Sequence, residues 1–122
     1  MATTMIPLGI AGNALRIIRD ADVDETLEAG VNDGAATIYA ITVDNAANAA
    51  ITYMKFWNAA TATVGTTDPD MILMCPVSVA RTFIFKTGNS FATALSYAAV
   101  TAAGTAGVTG PTSAVIANIV VS

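Results

Sequence analysis

Apolar and polar residues alternate with a period of two over short stretches of the chain, which is typical of half-buried β-strands. The stretches end at residues that favour turns, such as the NDG sequence at 32–34. Six stretches are predicted as strands: ATIYAITVDN (36–45), AITYMKFWNA (50–59), MILMCPVS (71–78), VSVARTFIFK (77–86), FATALSYAAVT (91–101) and SAVIANIVVS (113–122). Regular spacing of short strands indicates an all-β sandwich.

The connections between these strands also follow from residue type. The sequence TVGTTDPD at 63–70 is predicted as a loop, and TGNS at 87–90 as a hairpin-like turn. The Gly/Thr-rich sequence AAGTAGVTGPT joins the last two strands, which are predicted to form a pair.

The strand at 50–59 has two different faces. Tyr53, Lys55 and Trp57 share one face, and Met54 and Phe56 share the other. Because a lysine lies on the first face, we expect that face to meet solvent or a partner, and the second face to lie in the core.

The amino-terminal third differs from the rest of the chain. Eight of the fourteen charged residues fall within the first 34 positions, and the segment 13–31 is predicted to be extended or to form a short strand. Residues 1–12 are predicted as an extended arm. The chain is therefore expected to comprise this arm and one β-sandwich domain, residues 13–122, of jelly-roll or immunoglobulin-like type.

Composition excludes several classes of protein. Hydrophobic residues make up 54% of the chain and charged residues 11%, and residues 87–122 carry no charge. Disordered chains have the opposite balance, with low hydrophobicity and high charge. A membrane-spanning helix is also disfavoured, because glycine, threonine and proline interrupt the charge-free segment.

The apolar content is mainly alanine, with 25 residues, and the chain also has 17 threonines. Such small residues suit thin layers, or a subunit that completes its burial in an oligomer. The five basic residues are dispersed and the net charge is −4, so no basic patch for nucleic acid is visible. Cys75, the only cysteine, is expected to be a buried structural thiol.

No catalytic signature is present. The chain has no histidine, which removes the usual general base and the commonest transition-metal ligand. Asp68 and Asp70 are the nearest pair of carboxylates, but a DPD sequence in a loop is more typical of a turn. We therefore expect no enzyme activity and no cofactor.

Three carboxylates, Asp20, Asp22 and Asp24, have the spacing with which a loop begins to surround Ca²⁺. That motif also requires glycine at its sixth position and glutamate at its twelfth, where this chain has Glu25 and Val31. We favour the simpler interpretation, a solvated strand face, and no metal site is predicted.

Three stretches together resemble a family of phage structural proteins. IYAITVDNAANAAITYMKFWNAATATVGTTDPDMILMCPV looks like a pattern of small virion proteins of tailed phages, in which a strand ending in V-D-N precedes an aromatic strand and a V-G-T-T-x-P-D loop. FKTGNSFATALSYAAVTAAGTAGVTGPTSAV is similar to their carboxy-terminal half, and LRIIRDADVD to the segment before the first strand of the sandwich. The likeness covers the chain from about Leu15 onward, and its closest role is that of capsid cement (decoration) proteins, particularly of cyanobacterial phages.

The resemblance implies a β-sandwich, often a homotrimer, on the outer surface of the phage capsid over junctions between major capsid subunits. It implies no enzyme site, no nucleic-acid partner and no membrane. A cement protein binds the assembled shell in preference to free subunits, and linkage then stabilises the shell. In this interpretation the apolar arm residues are anchors on a neighbouring subunit: Met5, Ile6, Pro7, Leu8 and Ile10.

An alternative stays open on the same residues. Tyr53 and Trp57, on one face of a strand, are either core or subunit contacts, or a platform for sugar rings in a carbohydrate-binding or adhesion module of a phage tail fibre. Likewise, the arm residues are either anchors or part of a frayed terminus.

Overall fold

The computed structural model describes residues 3–7 and 15–122. Eight strands occur in these ranges, and none of the described segments forms a helix long and apolar enough to cross a membrane. The strands are β1 (Thr3–Pro7), β2 (Arg16–Val23), β3 (Ala36–Asp44), β4 (Thr52–Trp57), β5 (Met71–Cys75), β6 (Ala80–Phe91), β7 (Ser96–Val100) and β8 (Val115–Val121).

The strands form two antiparallel sheets. One has five strands in the order β1-β2-β8-β3-β6, and the other has three in the order β5-β4-β7. The two sheets pack face to face, so the all-β sandwich predicted from the alternating pattern is confirmed. The jelly-roll or immunoglobulin-like type stays a prediction.

The core lies between the sheets and follows the period of two. In β8, alternate residues from Val115 to Val121 are buried, and the residues between them are half-buried. Phe56 from the three-stranded sheet packs against Tyr97 and against Phe91, with ring centroids 6.0 and 6.4 Å apart. Each buried large side chain of this kind contributes about 1.5–3 kcal/mol of hydrophobic stabilisation.

The segment after β2 crosses from one sheet to the other. Glu28 and Tyr97 exchange two backbone hydrogen bonds, of 2.8 and 3.0 Å, and the N–H of Ala99 donates to the carbonyl of Asp24. Residues 24–31 therefore cover the outer edge of β7. Within the described part of the chain, β5 has no such neighbour on its outer edge.

The turn predicted at residues 87–90 is wrong, because these residues belong to β6. They lie at an irregularity, where Ile38 pairs with Asn89 but Ala40 already pairs with Ile84. Gly88 has a φ of 80°, and a Cβ there would meet Thr37. Glycine therefore allows a bulge that bends the strand, where the sequence pattern indicated a chain reversal.

The predicted pairing of the last two strands is also wrong. β7 belongs to the three-stranded sheet, whereas β8 lies in the middle of the five-stranded sheet between β2 and β3. The Gly/Thr-rich loop between them passes from one sheet to the other. Both strands have apolar residues on their inner faces, and this pattern alone does not say which sheet each strand joins.

Candidate functional site

The outward face of the five-stranded sheet is built from rows of residues that lie side by side across the strands. One row is apolar and joins Ile17, Val120, Ala40 and Ile84. The next row is polar and joins Thr4, Arg19, Asn118, Thr42 and Thr82. We call these two rows the outer face.

The outer face is nearly free of charge. Arg19 is its only charged residue, and its guanidinium donates to the side-chain oxygen of Asn118 at 3.5 Å. The hydroxyls of Thr42 and Thr82 lie 3.1 Å apart, joining β3 to β6. Asp44 and Lys86 lie at the margin. A flat face of this composition can be covered by a partner at a small cost in desolvated charge.

The outward face of the three-stranded sheet is different, because loops of the same chain cover it. Lys55 and Trp57 are each only 1% exposed. The ammonium of Lys55 donates to the carbonyl of Gly104, and the indole N–H of Trp57 donates to the carbonyl of Thr67 at 2.9 Å. Burial lowers the pKa of Lys55.

The expectation that this face of β4 meets solvent or a partner is therefore wrong for Lys55 and Trp57. Tyr53, their neighbour on the same face, is half-buried. The two loops, residues 58–70 and 101–114, supply the cover that the sequence pattern assigned to another molecule. Met54 and Phe56 are buried in the core, as predicted.

Three of the predicted arm anchors, Met5, Ile6 and Pro7, lie in β1, which pairs with β2 at the edge of the five-stranded sheet. Leu8 and Ile10 lie outside the described residues. The described part of the arm is thus a sheet edge, and its role as an anchor stays a prediction.

A buried carboxylate links the two sheets. Asp20 in β2 is fully buried, and one of its oxygens accepts a 3.0 Å hydrogen bond from the hydroxyl of Tyr97 in β7. The other oxygen accepts from the backbone N–H of Asp22 at 3.0 Å. The hydroxyl of Thr3 in β1 lies 3.5 Å from Asp20 and 3.2 Å from Glu28.

The electrostatics of this cluster follow from its burial. Desolvation, and then the nearby charge of Asp20, raise the pKa of Glu28. The same two causes raise the pKa of Tyr97, which stays a neutral donor to Asp20. The cluster is therefore a cross-link between β1, β2 and β7.

The predicted solvated strand face at 20–24 is wrong for Asp20, although Asp22 and Asp24 are partly exposed. The sequence did contain an indication that Asp20 is buried: it lies two residues after the core residue Ile18, so both side chains are on the same face of β2. No group of three or more acidic, cysteine or histidine residues suited to a metal occurs among residues 3–7 and 15–122.

The remaining chemical candidates have structural roles. Asp70 accepts a 2.7 Å hydrogen bond from the backbone of Asn58, and Asp68 accepts one of 2.5 Å from the hydroxyl of Thr105. The two carboxylates therefore hold different loop segments. Cys75 is buried, and desolvation raises its pKa to about 11, which keeps it an unreactive thiol.

Sequence reasoning missed a buried polar network beside β5. The side-chain amide of Asn45 donates to the carbonyl of Pro76 at 3.0 Å, and its oxygen accepts from Asn48 and Thr52 at 2.9 Å. Asn48 also donates to Ser113. The network fixes the link between β3 and β4 against two other loops, and no local pattern marks these partners.

Comparisons with known proteins identify no relative of this chain. The chain matches no protein-family model, no curated protein and no solved structure. The resemblance to phage cement proteins therefore stays a prediction, to be weighed with the surface that the fold presents.

Proposed function

We propose that this protein is a capsid cement or decoration protein of a tailed phage. It would bind the outer surface of the assembled head and stabilise it by bridging major capsid subunits. The observation that carries the proposal is the outer face, which spans five strands with Arg19 as its only charge. This face supports the role that the strand and turn pattern implies.

The physical argument concerns what such a face can bind. The outer face presents one apolar row beside one row of hydroxyl and amide groups with Arg19, laid out side by side across the strands. It suits contact with an extended protein surface, where small gains are summed over many residues. A shell in which subunit junctions recur presents such a surface many times.

Binding to junctions explains how the protein would act without chemistry. If the junction exists only in the assembled head, binding favours assembly by mass action, and stabilisation grows with the concentration of free cement protein relative to its dissociation constant. The proposed partners are the major capsid protein and other copies of this chain, and the proposed location is the outer capsid surface of the virion. No enzyme step and no cofactor are invoked.

The alternative, a carbohydrate-binding or adhesion module, has lost the feature that suggested it. Trp57 is enclosed by the chain's own loop, so Tyr53 and Trp57 do not form an exposed platform for sugar rings.

The test is co-sedimentation of the purified protein with empty heads assembled from the major capsid protein of the same phage. We expect saturable binding to heads, much weaker binding to free capsid subunits, and a higher melting temperature of the decorated heads. Binding to free subunits as tight as to heads, or no binding to heads, would overturn the proposal.

A matched pair of variants locates the surface. Thr42→Glu places a charge in the middle of the outer face and should weaken head binding at least tenfold, which corresponds to about 1.4 kcal/mol. Thr61→Glu makes the same change at an exposed position in the 58–70 loop on the other sheet and should bind as wild type does. Weakened binding of Thr61→Glu together with unchanged binding of Thr42→Glu would show that the capsid contacts the loops of the three-stranded sheet instead.

A further inference from the structure

Large exposed hydrophobic residues are concentrated on the two neighbouring strands that end the sheets, β5 and β6, and on the link between them. Seven are exposed among the described residues: Ile51, Ile72, Met74, Val77, Val79, Ile84 and Val108. Five of them lie on β5, on β6 or on the link between these strands. Ile84 is 71% exposed, the largest value of the group. We call residues 71–91 the β5–β6 side.

Both strands of this side are sheet edges. β5 ends the three-stranded sheet and β6 ends the five-stranded sheet, and the two lie next to each other. The Arg81 guanidinium donates to the carbonyl of Met74 at 3.5 Å, and the Asn89 amide lies 3.1 Å from the sulfur of Met71. The outer edges leave backbone N–H and C=O groups that an extended strand can pair with.

The opposite side of the molecule is rich in acidic residues, which the β5–β6 side lacks. It is formed by β1, by β2 and by the segment that follows β2, and we call it the β1–β2 side. Residues 16–33 hold six acids and two arginines, a net charge of −4, whereas residues 71–91 hold Arg81 and Lys86 and no acid. Among the described residues β1 pairs only with β2 and ends the five-stranded sheet, and its sequence includes Met5, Ile6 and Pro7.

We propose that copies of this chain associate head to tail, with the β5–β6 side of one copy packed against the β1–β2 side of the next. Because the five-stranded sheet is antiparallel throughout, its first and last strands, β1 and β6, run in the same direction. A rotation about an axis parallel to the strands therefore places β6 beside β1 of the next copy as a parallel pair. Repetition of this contact closes a ring when the rotation between neighbouring copies divides a full turn.

The distribution of charge favours this head-to-tail contact over a two-fold symmetric dimer. In a two-fold dimer the two β5–β6 sides face each other, which brings together four basic residues and no acid from residues 71–91. The head-to-tail contact instead sets those cations against an acid-rich side, which favours encounter and fixes orientation. The inference does not depend on capsid binding, and its test contains no capsid.

The first experiment is sedimentation velocity on the full chain. We expect wild type to form a discrete oligomer whose dissociation constant rises with added salt, as screening weakens the charge contacts. Ile84→Glu should weaken association at least tenfold, because it adds an acid to a side that faces acids. Val108→Glu changes another exposed residue, in the loop after β7, and should associate as wild type does.

The second experiment mixes two variants, each checked for folding by circular dichroism. Of the two sides proposed to meet in the oligomer, Ile84→Glu alters the β5–β6 side, and the double variant Ala21→Lys/Glu25→Lys alters the β1–β2 side at two exposed positions. Ile84 also belongs to the outer face, so neither variant is used to measure capsid binding. Neither should self-associate, but a mixture should form a one-to-one heterodimer through the two intact sides.

Three outcomes would overturn the proposal. One is a wild-type protein that is monomeric at millimolar concentration. Another is an oligomer that Ile84→Glu leaves unchanged. The third is self-association of the Ala21→Lys/Glu25→Lys variant, which would show a two-fold contact between β5–β6 sides. Capsid binding is measured separately, so failure here leaves the cement proposal standing on its own test.

Discussion

At the scale of single residues, Asp20 shows how burial changes the role of a carboxylate. Its position in an acidic sequence suggested a solvated group, but the fold gives it the hydroxyl of Tyr97 and the backbone N–H of Asp22 as donors. Hydrogen bonds to a buried charge offset its desolvation cost, and losing one of them leaves that cost uncompensated. Glu28 accepts a side-chain hydrogen bond from Thr3, so the desolvation of its carboxylate is offset less than that of Asp20.

Replacing Glu28 with glutamine should therefore raise stability at neutral pH. The folded protein holds the Glu28 proton more tightly than the unfolded chain, because its pKa is raised from 4.5. Glu28 thus lowers the free energy of unfolding progressively as pH rises above about 4.5, and this penalty is absent below that pH. We expect Glu28→Gln to be modestly more stable than wild type at pH 7, with the difference shrinking as the pH falls towards 4.5 and below.

Urea unfolding at a series of pH values measures this effect. Glu25→Gln is the matched control, since it makes the same change on an exposed carboxylate three residues earlier and should alter the pH profile less. A Glu28→Gln variant that is less stable than wild type at pH 7 would show that the charged carboxylate is stabilising.

The sequence correctly predicted burial of single residues where an apolar side chain also lay on the strand face expected to point inward. Met54, Phe56 and Cys75 are buried as expected, because their neighbours along the strand indicate the inner face. It failed for Lys55 and Trp57, whose cover comes from loop carbonyls of Gly104 and Thr67 that are distant in sequence. Burial by a loop depends on tertiary folding, and a period of two does not encode it.

At the scale of strands, the bulge in β6 depends on Gly88. Its φ of 80° is a conformation that side chains with a Cβ rarely adopt, and an added Cβ would come 2.5 Å from Thr37 and 3.1 Å from Tyr39. We expect Gly88→Ala to lower the free energy of unfolding by about 1–3 kcal/mol. Urea unfolding at neutral pH measures the loss.

Gly104→Ala provides the control for this prediction. No atom lies within 4 Å of a Cβ built at Gly104, and its φ is outside the left-handed region. Its effect should therefore be within about 0.5 kcal/mol of wild type, as for most exposed positions. Equal effects of the two substitutions would show that β6 has no special need for glycine.

The same glycine explains why element-scale prediction was incomplete. Strand positions 36–44, 52–57 and 115–121 follow directly from the alternating pattern and from β-branched residues. The strand at 71–75 was predicted from an apolar run expected to be buried, and that burial is wrong for Ile72 and Met74, which are exposed on an edge strand. A glycine with positive φ, however, is used both by hairpin turns and by bulges, so the sequence around Gly88 does not distinguish them. Sheet membership of β7 and β8 also depends on partners far away in sequence.

At the scale of the whole molecule, the two sheets have different surroundings. Loops of the chain cover the outward face of the three-stranded sheet at Lys55 and Trp57. Within the described ranges, 3–7 and 15–122, residues of the outer face such as Arg19, Thr82 and Ile84 are exposed. The all-β sandwich was predictable because short alternating strands leave few other ways to bury apolar residues. The surface proposed to contact the capsid was not predictable, since it depends on cross-strand registers such as Thr42 beside Asn118 and Thr82.

The connections between the sheets predict that they unfold together. Residues 24–31 continue from β2 of one sheet and pair with β7 of the other, and the Tyr97–Asp20 hydrogen bond joins the same two strands inside the core. Neither sheet can separate without exposing residues such as Phe56, Ile41 and Ile119 to water. A domain of 122 residues with one shared core should therefore show a single cooperative transition.

Two optical signals test this cooperativity. Trp57 is the only tryptophan and lies in the three-stranded sheet, so its fluorescence follows that sheet, whereas far-ultraviolet circular dichroism is dominated by the larger one. We expect the two urea-unfolding curves to coincide in midpoint and slope. A fluorescence transition at lower urea would mean that the three-stranded sheet and its loops open first, and that the bonds from residues 24–31 to β7 are too weak to couple the sheets.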